Sequence, residues 1–206
     1  MSDRAGDTAL LSPDGRRRCT WVARPTVPAD YVTYHDEEWG RAVHGDAALL
    51  ERIVLEGFQS GLAWLTILRK RPAFRQAFGG FDPRTMAAFG AADVERLLTD
   101  AGIVRHRRKI EAAVTNARAT VALLERDGEG ALDRLVWSFA PDPPAPAPMS
   151  PTDVPSSTKA SAALAAELKR RGFEFVGPTT AYAAMQACGL VNDHLGGCEY
   201  RATGRN

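Results

Sequence analysis

Long apolar runs are missing from this chain: its 206 residues contain no stretch of eighteen or more apolar side chains, so no segment reads as a membrane-spanning helix. Cysteine is scarce as well. Only Cys19, Cys188 and Cys198 occur, and an odd number in a chain without an export signal argues against a disulfide framework and for metal ligation or simple burial. Met1 to Arg18 is polar and interrupted by Asp3, Asp7 and Asp14. It lacks the apolar core of a signal peptide, and a cytoplasmic protein is expected. Net charge is also nearly absent, at +1. Attraction to nucleic acid would therefore have to come from local clusters. No convincing pair of strands is visible.

What is present is helical periodicity. A hydrophobic content of 45% over 206 residues is enough for one compact core. From Asp46, a plausible N-cap, Leu49, Leu50, Ile53, Val54 and Phe58 follow i, i+3, i+4 spacing. Trp64, Leu65, Ile67 and Leu68 define a second helix, expected to stop near Arg71 because Pro72 disfavours helical geometry in the residue before it. Residues 91–100 form a third, with Val94, Leu97 and Leu98 on one face. A fourth runs from about Arg105 to Arg126 through Ile110, Val114, Ala117, Val121 and Leu124, with Gly128 behind it as terminator. Between Phe139 and Pro151 the chain is too proline-rich for helix or central strand and should form a semi-rigid loop within one fold. Ser156 or Ser157 can then cap a helix through Leu164 and Leu168, ended by Gly172. Pro178 opens a last helix, reaching Gly189.

Four stretches carry chemistry. Tyr31 to Gly40 packs three aromatic rings, His35 and three carboxylates into ten residues; Tyr and Trp combine a flat apolar face with a polar handle and suit a pocket for a flat, polar ring. His194 and Cys198, with three residues between them, together with Cys19 and His35 would make a Cys2His2 set suited to tetrahedral zinc. Spacing by itself leaves a fortuitous arrangement open. Four protein ligands would leave no position for water, so such a zinc would be structural and would clamp the two ends of the chain together. Cys188 reads as a small buried side chain. Residues 91–109 place a helix, a turn with Gly102, and a second helix opening with Arg105, His106, Arg107, Arg108 and Lys109. That turn resembles a helix-hairpin-helix DNA-binding element, in which free amides at a helix start meet phosphate without reading sequence; an ordinary turn with a solvated cationic face has the same local pattern. Finally, Glu56 stands on an otherwise apolar face and needs a partner or a ligand unless it is surface-exposed.

The combination is more specific than its parts. Cys19-Thr20-Trp21, Tyr34-His35-Asp36-Glu37-Glu38-Trp39-Gly40, Leu55-Glu56-Gly57-Phe58-Gln59-Ser60-Gly61-Leu62-Ala63-Trp64, Asp100-Ala101-Gly102-Ile103-Val104-Arg105-His106-Arg107 and Met185-Gln186-Ala187-Cys188-Gly189-Leu190-Val191-Asn192-Asp193-His194 occur in this order. The chain thereby resembles the bacterial DNA-3-methyladenine glycosylase I family from about Cys19 to Tyr200. The resemblance implies an all-α helix-hairpin-helix glycosylase with one structural Zn2+ held by Cys19, His35, His194 and Cys198. Residues 1–18, polar and outside the shared region, are expected to be a disordered or loosely docked extension, and the resemblance implies one glycosylase domain over 19–200. In that domain a zinc lobe spans about 19–45 and 150–200, a hairpin core about 46–140, and a flexible tail follows over 201–206.

The implied reaction is hydrolysis of the N-glycosidic bond of 3-methyladenine in alkylated double-stranded DNA, with the nucleotide extruded first. Glu56 is implied to bind the flipped base, Tyr34 and Trp64 to flank it, and Tyr31, Trp21 and Trp39 to complete an aromatic wall. Gly102, Arg105, Arg107, Arg108 and Lys109 are implied to hold DNA. A cationic, methylated purine suits electron-rich rings and a carboxylate. No Asp occurs between Gly102 and Asp127, where many helix-hairpin-helix glycosylases carry a catalytic one, as is also the case in the resembled family. An already cationic leaving group needs less help, and tighter binding of the departing base would supply most of the acceleration. Phe58 stands where the family often has a polar residue, which should alter the pocket rim. A monomer is expected. The rival readings are a non-catalytic zinc-stabilised DNA or nucleobase-binding module, which Glu56, Trp64 and Tyr34 disfavour, and a zinc hydrolase, which four protein ligands disfavour.

Overall fold

The computed structural model describes residues 9–201. Two two-residue strands, β1 (Leu10–Leu11) and β2 (Arg17–Arg18), pair antiparallel with Leu10 opposite Arg18. Nine α-helices follow among the described residues: α1 (Ala29–Glu37), α2 (Asp46–Gln59), α3 (Trp64–Ala77), α4 (Pro83–Ala87), α5 (Ala91–Thr99), α6 (Arg107–Asp127), α7 (Ala131–Trp137), α8 (Lys159–Arg170) and α9 (Pro178–Ala187). None is long and apolar enough to cross a membrane.

The fold is built around α2. Every residue from Leu49 to Phe58 is buried, because α3, α6, α7 and α9 pack on different sides of it. A helix surrounded in this way has no solvated face, so even its polar side chains are drawn out of water. Its C-terminal carbonyls are met by a buried cation: Lys109 Nζ donates to Phe58 O at 2.9 Å and to Ser60 O at 2.6 Å.

Several local expectations change on packing. The second helix does not stop at Arg71 but runs through Pro72 to Ala77. An interior proline costs about 3 kcal/mol, and the fully buried Phe74 and Phe78 beyond it return about 1.5–3 kcal/mol each. Asp46 does not cap its own helix. Gly45 is the N-cap, and the Asp46 carboxylate instead accepts from the amides of Gly130, Leu132 and Asp133, closing the N-terminus of α7. Helix α8 is capped not by Ser156 or Ser157 but by Thr158, whose hydroxyl accepts from Ser161 N at 3.1 Å while Ser161 Oγ accepts from Thr158 N at 2.8 Å, a reciprocal capping box. The long helix α6 begins at Arg107, with His106 as its N-cap, and Gly128 terminates it at φ 82°. Phe58, expected at a pocket rim, is 1% exposed and packs edge-to-face on Phe74 at 4.7 Å. An aromatic residue there consolidates the core.

The largest change concerns the N-terminal segment. Residues 1–8 lie outside the described residues, but residues 9–18, expected as part of a disordered tail, form the β1–β2 hairpin with Ala9, Ser12 and Arg18 buried. The C-terminal segment returns beside it. Arg17 N donates to Glu199 Oε1, and Glu199 N donates to Arg17 O, both at 3.0 Å. The proline-rich loop is tied to the same segment by Gly196 N donating to Pro148 O at 2.9 Å.

Gly189 fixes how α9 leads into this lobe. It sits at φ 73°, and a Cβ there would lie 2.5 Å from the Arg41 carbonyl carbon. Left-handed backbone and a backbone clash combine, so Gly189→Ala should lower the unfolding free energy by at least about 1–3 kcal/mol in urea titration. An unchanged midpoint and slope would show that residues 40–43 yield freely.

Candidate base-binding cleft and metal centre

Helices α1, α2 and α9 and the start of α3 enclose a cleft of about 170 Å³ lined by Trp21, Tyr31, Tyr34, Trp39, Glu56, Gln59, Trp64, Ala183 and Gln186. All six side chains expected at a base pocket are therefore brought together. The rings form a continuous wall: Trp64 lies 5.4 Å from Tyr34, Tyr34 stacks at 6.4 Å on Tyr31, Tyr31 lies 4.9 Å from Trp21, and Trp21 meets Trp39 edge-on at 5.3 Å. Tyr31 and Tyr34 belong to successive positions on one face of α1, and i, i+3 spacing brings their rings together.

Glu56 is 5% exposed, and its carboxyl has no hydrogen-bond partner among the described residues. Burial pushes it up to about 8, against the pull of the Arg52 guanidinium in the other direction. Burial together with the nearby Glu56 also raises Tyr34, well above the usual tyrosine range. The Trp64 indole Nε1 is buried without a partner. The cleft thus combines an unengaged carboxyl and an unengaged donor among aromatic rings. Uncompensated buried polar groups are costly, and they mark a place built for a ligand.

Three lining residues were not singled out from the sequence, the small Ala183 and two amides. Gln59 is on the same face of α2 as Glu56, three residues later, so helical spacing offers a signal. Gln186 comes from α9, and only packing brings it to the cleft; its Nε2 donates to Asp193 Oδ2 at 2.8 Å.

Beside the cleft, the potential ligand atoms of Cys19, His35, His194 and Cys198 all lie within 4.8 Å of one another, and all four residues are buried. His194 Nδ1 is 3.7 Å from Cys19 Sγ, 3.5 Å from Cys198 Sγ and 3.2 Å from His35 Nε2, and His35 Nε2 is 3.7 Å from Cys198 Sγ. The remaining imidazole nitrogens are occupied. His35 Nδ1 faces Asp36 Oδ1 at 2.7 Å, and His194 Nε2 faces the Trp39 carbonyl at 3.0 Å. Donating these protons leaves His35 Nε2 and His194 Nδ1 free to ligate, the arrangement in which outer partners set the tautomers of metal-binding histidines. Leu195 N donates to Cys19 Sγ at 3.3 Å, as a thiolate would require. This group can hold a metal ion. Of the acidic residues beside His35, Asp36 orients that imidazole, while Glu38 is held by Arg71 at 2.6 Å and Arg52 at 3.2 Å. Cys188 is buried apart from the cluster.

The turn between α5 and α6 is shaped from within. Gly102 N donates to Asp100 Oδ1 at 2.7 Å, and Lys70 Nζ donates to the carbonyls of Ala101 at 2.8 Å and Gly102 at 3.2 Å. Glycine is required at 102 by close approach, since a Cβ would lie 2.8 Å from Ala73 Cβ of α3. Arg105, Arg107 and Arg108 are exposed; Arg107 pairs with Glu95 at 2.7 Å. Lys109 differs from the expectation of a DNA contact. It is 8% exposed and its ammonium is engaged at the end of α2, so the exposed cations of the hairpin are the arginines, of which Arg107 is already paired.

A hairpin joined to a helical core, an aromatic cleft around a buried carboxyl and a lobe able to hold a metal define a helix-hairpin-helix DNA glycosylase fold. The chain belongs to the methyladenine glycosylase family, whose model matches residues 21–202. It is 49% identical to DNA-3-methyladenine glycosylase 1 of Escherichia coli K12 over 182 residues, 88% of this chain and 95% of that protein. It is 44% identical to the DNA-3-methyladenine glycosylase of Haemophilus influenzae, with 88% and 96% covered. A crystal structure of a 3-methyladenine DNA glycosylase I superposes with a TM-score of 0.82 at 50% identity, covering 88% of this chain and 98% of that one. The Staphylococcus aureus enzyme, solved for its recognition of 3-methyladenine, superposes at 0.80 with 33% identity, covering 85% and 93%.

The Glu56 carboxyl links the cleft to pH. Its folded-state value is raised above the unfolded 4.5, so the folded protein holds the proton more tightly. Stability is fully present below about pH 4.5 and is lost as pH rises through about 8. Between pH 5 and 8 the wild type should lose on the order of a few kcal/mol relative to Glu56→Gln in urea unfolding. Parallel pH profiles would show that burial of this carboxyl is relieved by water.

Proposed function

We propose that this protein is a monofunctional DNA glycosylase of base excision repair. It hydrolyses the N-glycosidic bond of 3-methyladenine in alkylated double-stranded DNA, releases the base and leaves an abasic site. The observation that carries this reading is Glu56: a carboxyl 5% exposed, without a partner, at an aromatic cleft in a chain related to 3-methyladenine glycosylases. A base carrying a methyl on N3 is cationic while attached to the sugar. Entering the cleft, it brings the opposite charge that an otherwise protonated Glu56 lacks and favours its ionised form. Tyr34 and Trp64 flank the ring, and Tyr31, Trp21 and Trp39 close the wall behind it, where electron-rich faces favour the cation. Since the leaving group already carries positive charge, holding the departing base more tightly than the intact nucleotide supplies the acceleration without the aspartate that the hairpin region lacks.

The extruded nucleotide requires a held backbone. Arg105 and Arg108, both exposed, offer cations to phosphate at the hairpin, Arg107 can exchange Glu95 for phosphate, and Gly102, whose amide is held by Asp100, shapes the turn between the two helices.

For the metal centre, zinc fits best. A tetrahedron with Zn–S about 2.3 Å and Zn–N about 2.0–2.1 Å has S···N edges of about 3.5 Å and an N···N edge of about 3.3 Å, against 3.5–3.7 Å for three of the S···N edges and 3.2 Å for the N···N edge here, with all ligand atoms within 4.8 Å of one another. Bound there, the ion joins both ends of the chain and sets the position of α1, and hence of Tyr31, Tyr34 and Trp39, without entering the reaction. One chain supplies the cleft, the hairpin and all four ligands, which suits a monomer.

Purified protein should release 3-methyladenine from methylated DNA, read by chromatography of the freed bases, with about one zinc per chain by metal analysis. Glu56→Ala should lose most of this release and keep its zinc. No methylated base freed by the wild type would defeat the glycosylase assignment. Replacing Arg105 and Arg108 by Ala should weaken binding to undamaged and damaged duplex alike and reduce the slope of log affinity against log salt by about 2. An unchanged slope would move the DNA contact elsewhere.

A further inference from the structure

The N-terminal hairpin precedes the region matched by the methyladenine glycosylase family, which begins at residue 21, yet it is built into the metal lobe. Ser12 N donates to Arg16 O at 2.8 Å, and Gly15 closes the turn at φ 81°. From this hairpin Arg18 reaches inward, with 5% of its side chain exposed. One guanidinium edge meets Asp14 at 2.7 and 2.8 Å, and another meets Asp36 at 2.8–3.0 Å. Asp36 in turn holds His35 Nδ1 at 2.7 Å. A charged chain therefore runs from Asp14 through Arg18 and Asp36 to an imidazole of the metal centre. A second tie crosses to the other end of the protein. Arg16 donates to the Tyr200 hydroxyl at 2.6 Å, the Arg18 guanidinium lies 5.3 Å from the Tyr200 ring centre, and that ring meets His35 edge-on at 5.6 Å. The paired bonds of Arg17 with Glu199 adjoin Cys19 and Cys198, so they set how far apart the two thiols are held.

We propose that the hairpin of residues 9–18 is a latch that retains the metal, with Arg18 as its positioning residue. Two physical effects act together. Arg18 neutralises and orients Asp36, which keeps the His35 Nδ1 proton in place and Nε2 directed to the ion. The hairpin also joins the flanks of Cys19 and Cys198, so release of the ion requires both the ligands and this cross-connection to open. Asp14 holds the second edge of Arg18 and completes the buried guanidinium's hydrogen bonding. The inference rests on the zinc reading above.

The test is metal release from the zinc-loaded full-length protein into excess 4-(2-pyridylazo)resorcinol, followed by absorbance. Arg18→Gln should release zinc faster than wild type, by up to the roughly 10- to 100-fold that loss of a metal ligand's outer partner costs in affinity. Asp14→Asn should release it faster than wild type by a smaller factor, and Arg18→Lys should recover part of the loss. Unfolding midpoints measured with zinc and in EDTA distinguish a latch from general packing: Arg18→Gln should lower the zinc-bound midpoint more than the metal-free one. Release within two-fold of wild type, or equal midpoint losses in the two states, overturns the latch. A wild type that takes up no zinc removes the metal reading on which the latch depends. If Arg18→Gln does not fold, the same comparison is made on Asp14→Asn, where release at the wild-type rate overturns the proposal.

Discussion

Everything in this molecule depends on α2 being buried on every side. A helix enclosed by four others cannot direct its polar residues to water, so each must find another solution. Glu51 pairs with Arg75 at 2.8 Å, and Arg52 reaches Glu38 at 3.2 Å. Glu56 has neither solution, and its carboxyl faces an aromatic cleft in a state that favours the proton. The cost of desolvating one carboxyl is thereby built into the core, and a cationic ligand relieves it. The same enclosure explains why the C-terminus of α2 is met by the ammonium of Lys109, which directly follows the exposed Arg107 and Arg108 in the sequence.

The metal lobe is coupled to the cleft through α1. His35 lies between Tyr34 and Asp36, so on one helix a member of the group able to hold a metal adjoins a wall of the cleft and a carboxylate that meets Arg18. Trp39 belongs to both sites: its ring lines the cleft, and its carbonyl takes the His194 Nε2 proton at 3.0 Å. A change in the lobe therefore reaches the aromatic wall through one rigid element of nine residues.

Much of the helical framework was legible because periodicity and terminators are local. The apolar spacing of residues 49–58, the stop at Gly128 and the start at Pro178 all lie where their own neighbours place them. The cap assignments at Asp46 and at Ser156 or Ser157 were not legible, because a carboxylate or hydroxyl can serve any nearby free amide, and tertiary packing chose α7 for Asp46 and favoured Thr158 for α8. Helix α4 was missed although Asp82 before Pro83 is a start signal, and its carboxylate accepts from Thr85 N at 2.7 Å. The run through Pro72 was hidden for a different reason, since local geometry forbids what distant burial of Phe74 and Phe78 makes favourable.

For the site, the residue types were written in the sequence: a carboxylate on an apolar face, aromatic rings at helical spacing, two thiols and two imidazoles at opposite ends, and a glycine turn before a run of cations. Their functional groups are intrinsic to the side chains, while burial sets how a group such as Glu56 titrates. Tertiary structure alone decided which of them meet. It brought Gln186 to the cleft, withdrew Lys109 from the hairpin surface, placed Phe58 in the core, and turned residues 9–18 from an expected tail into a hairpin against Glu199 and Tyr200. These outcomes depend on contacts between segments up to 184 residues apart. The free energy of such contacts comes from excluding water between distant surfaces, a quantity that no local pattern carries.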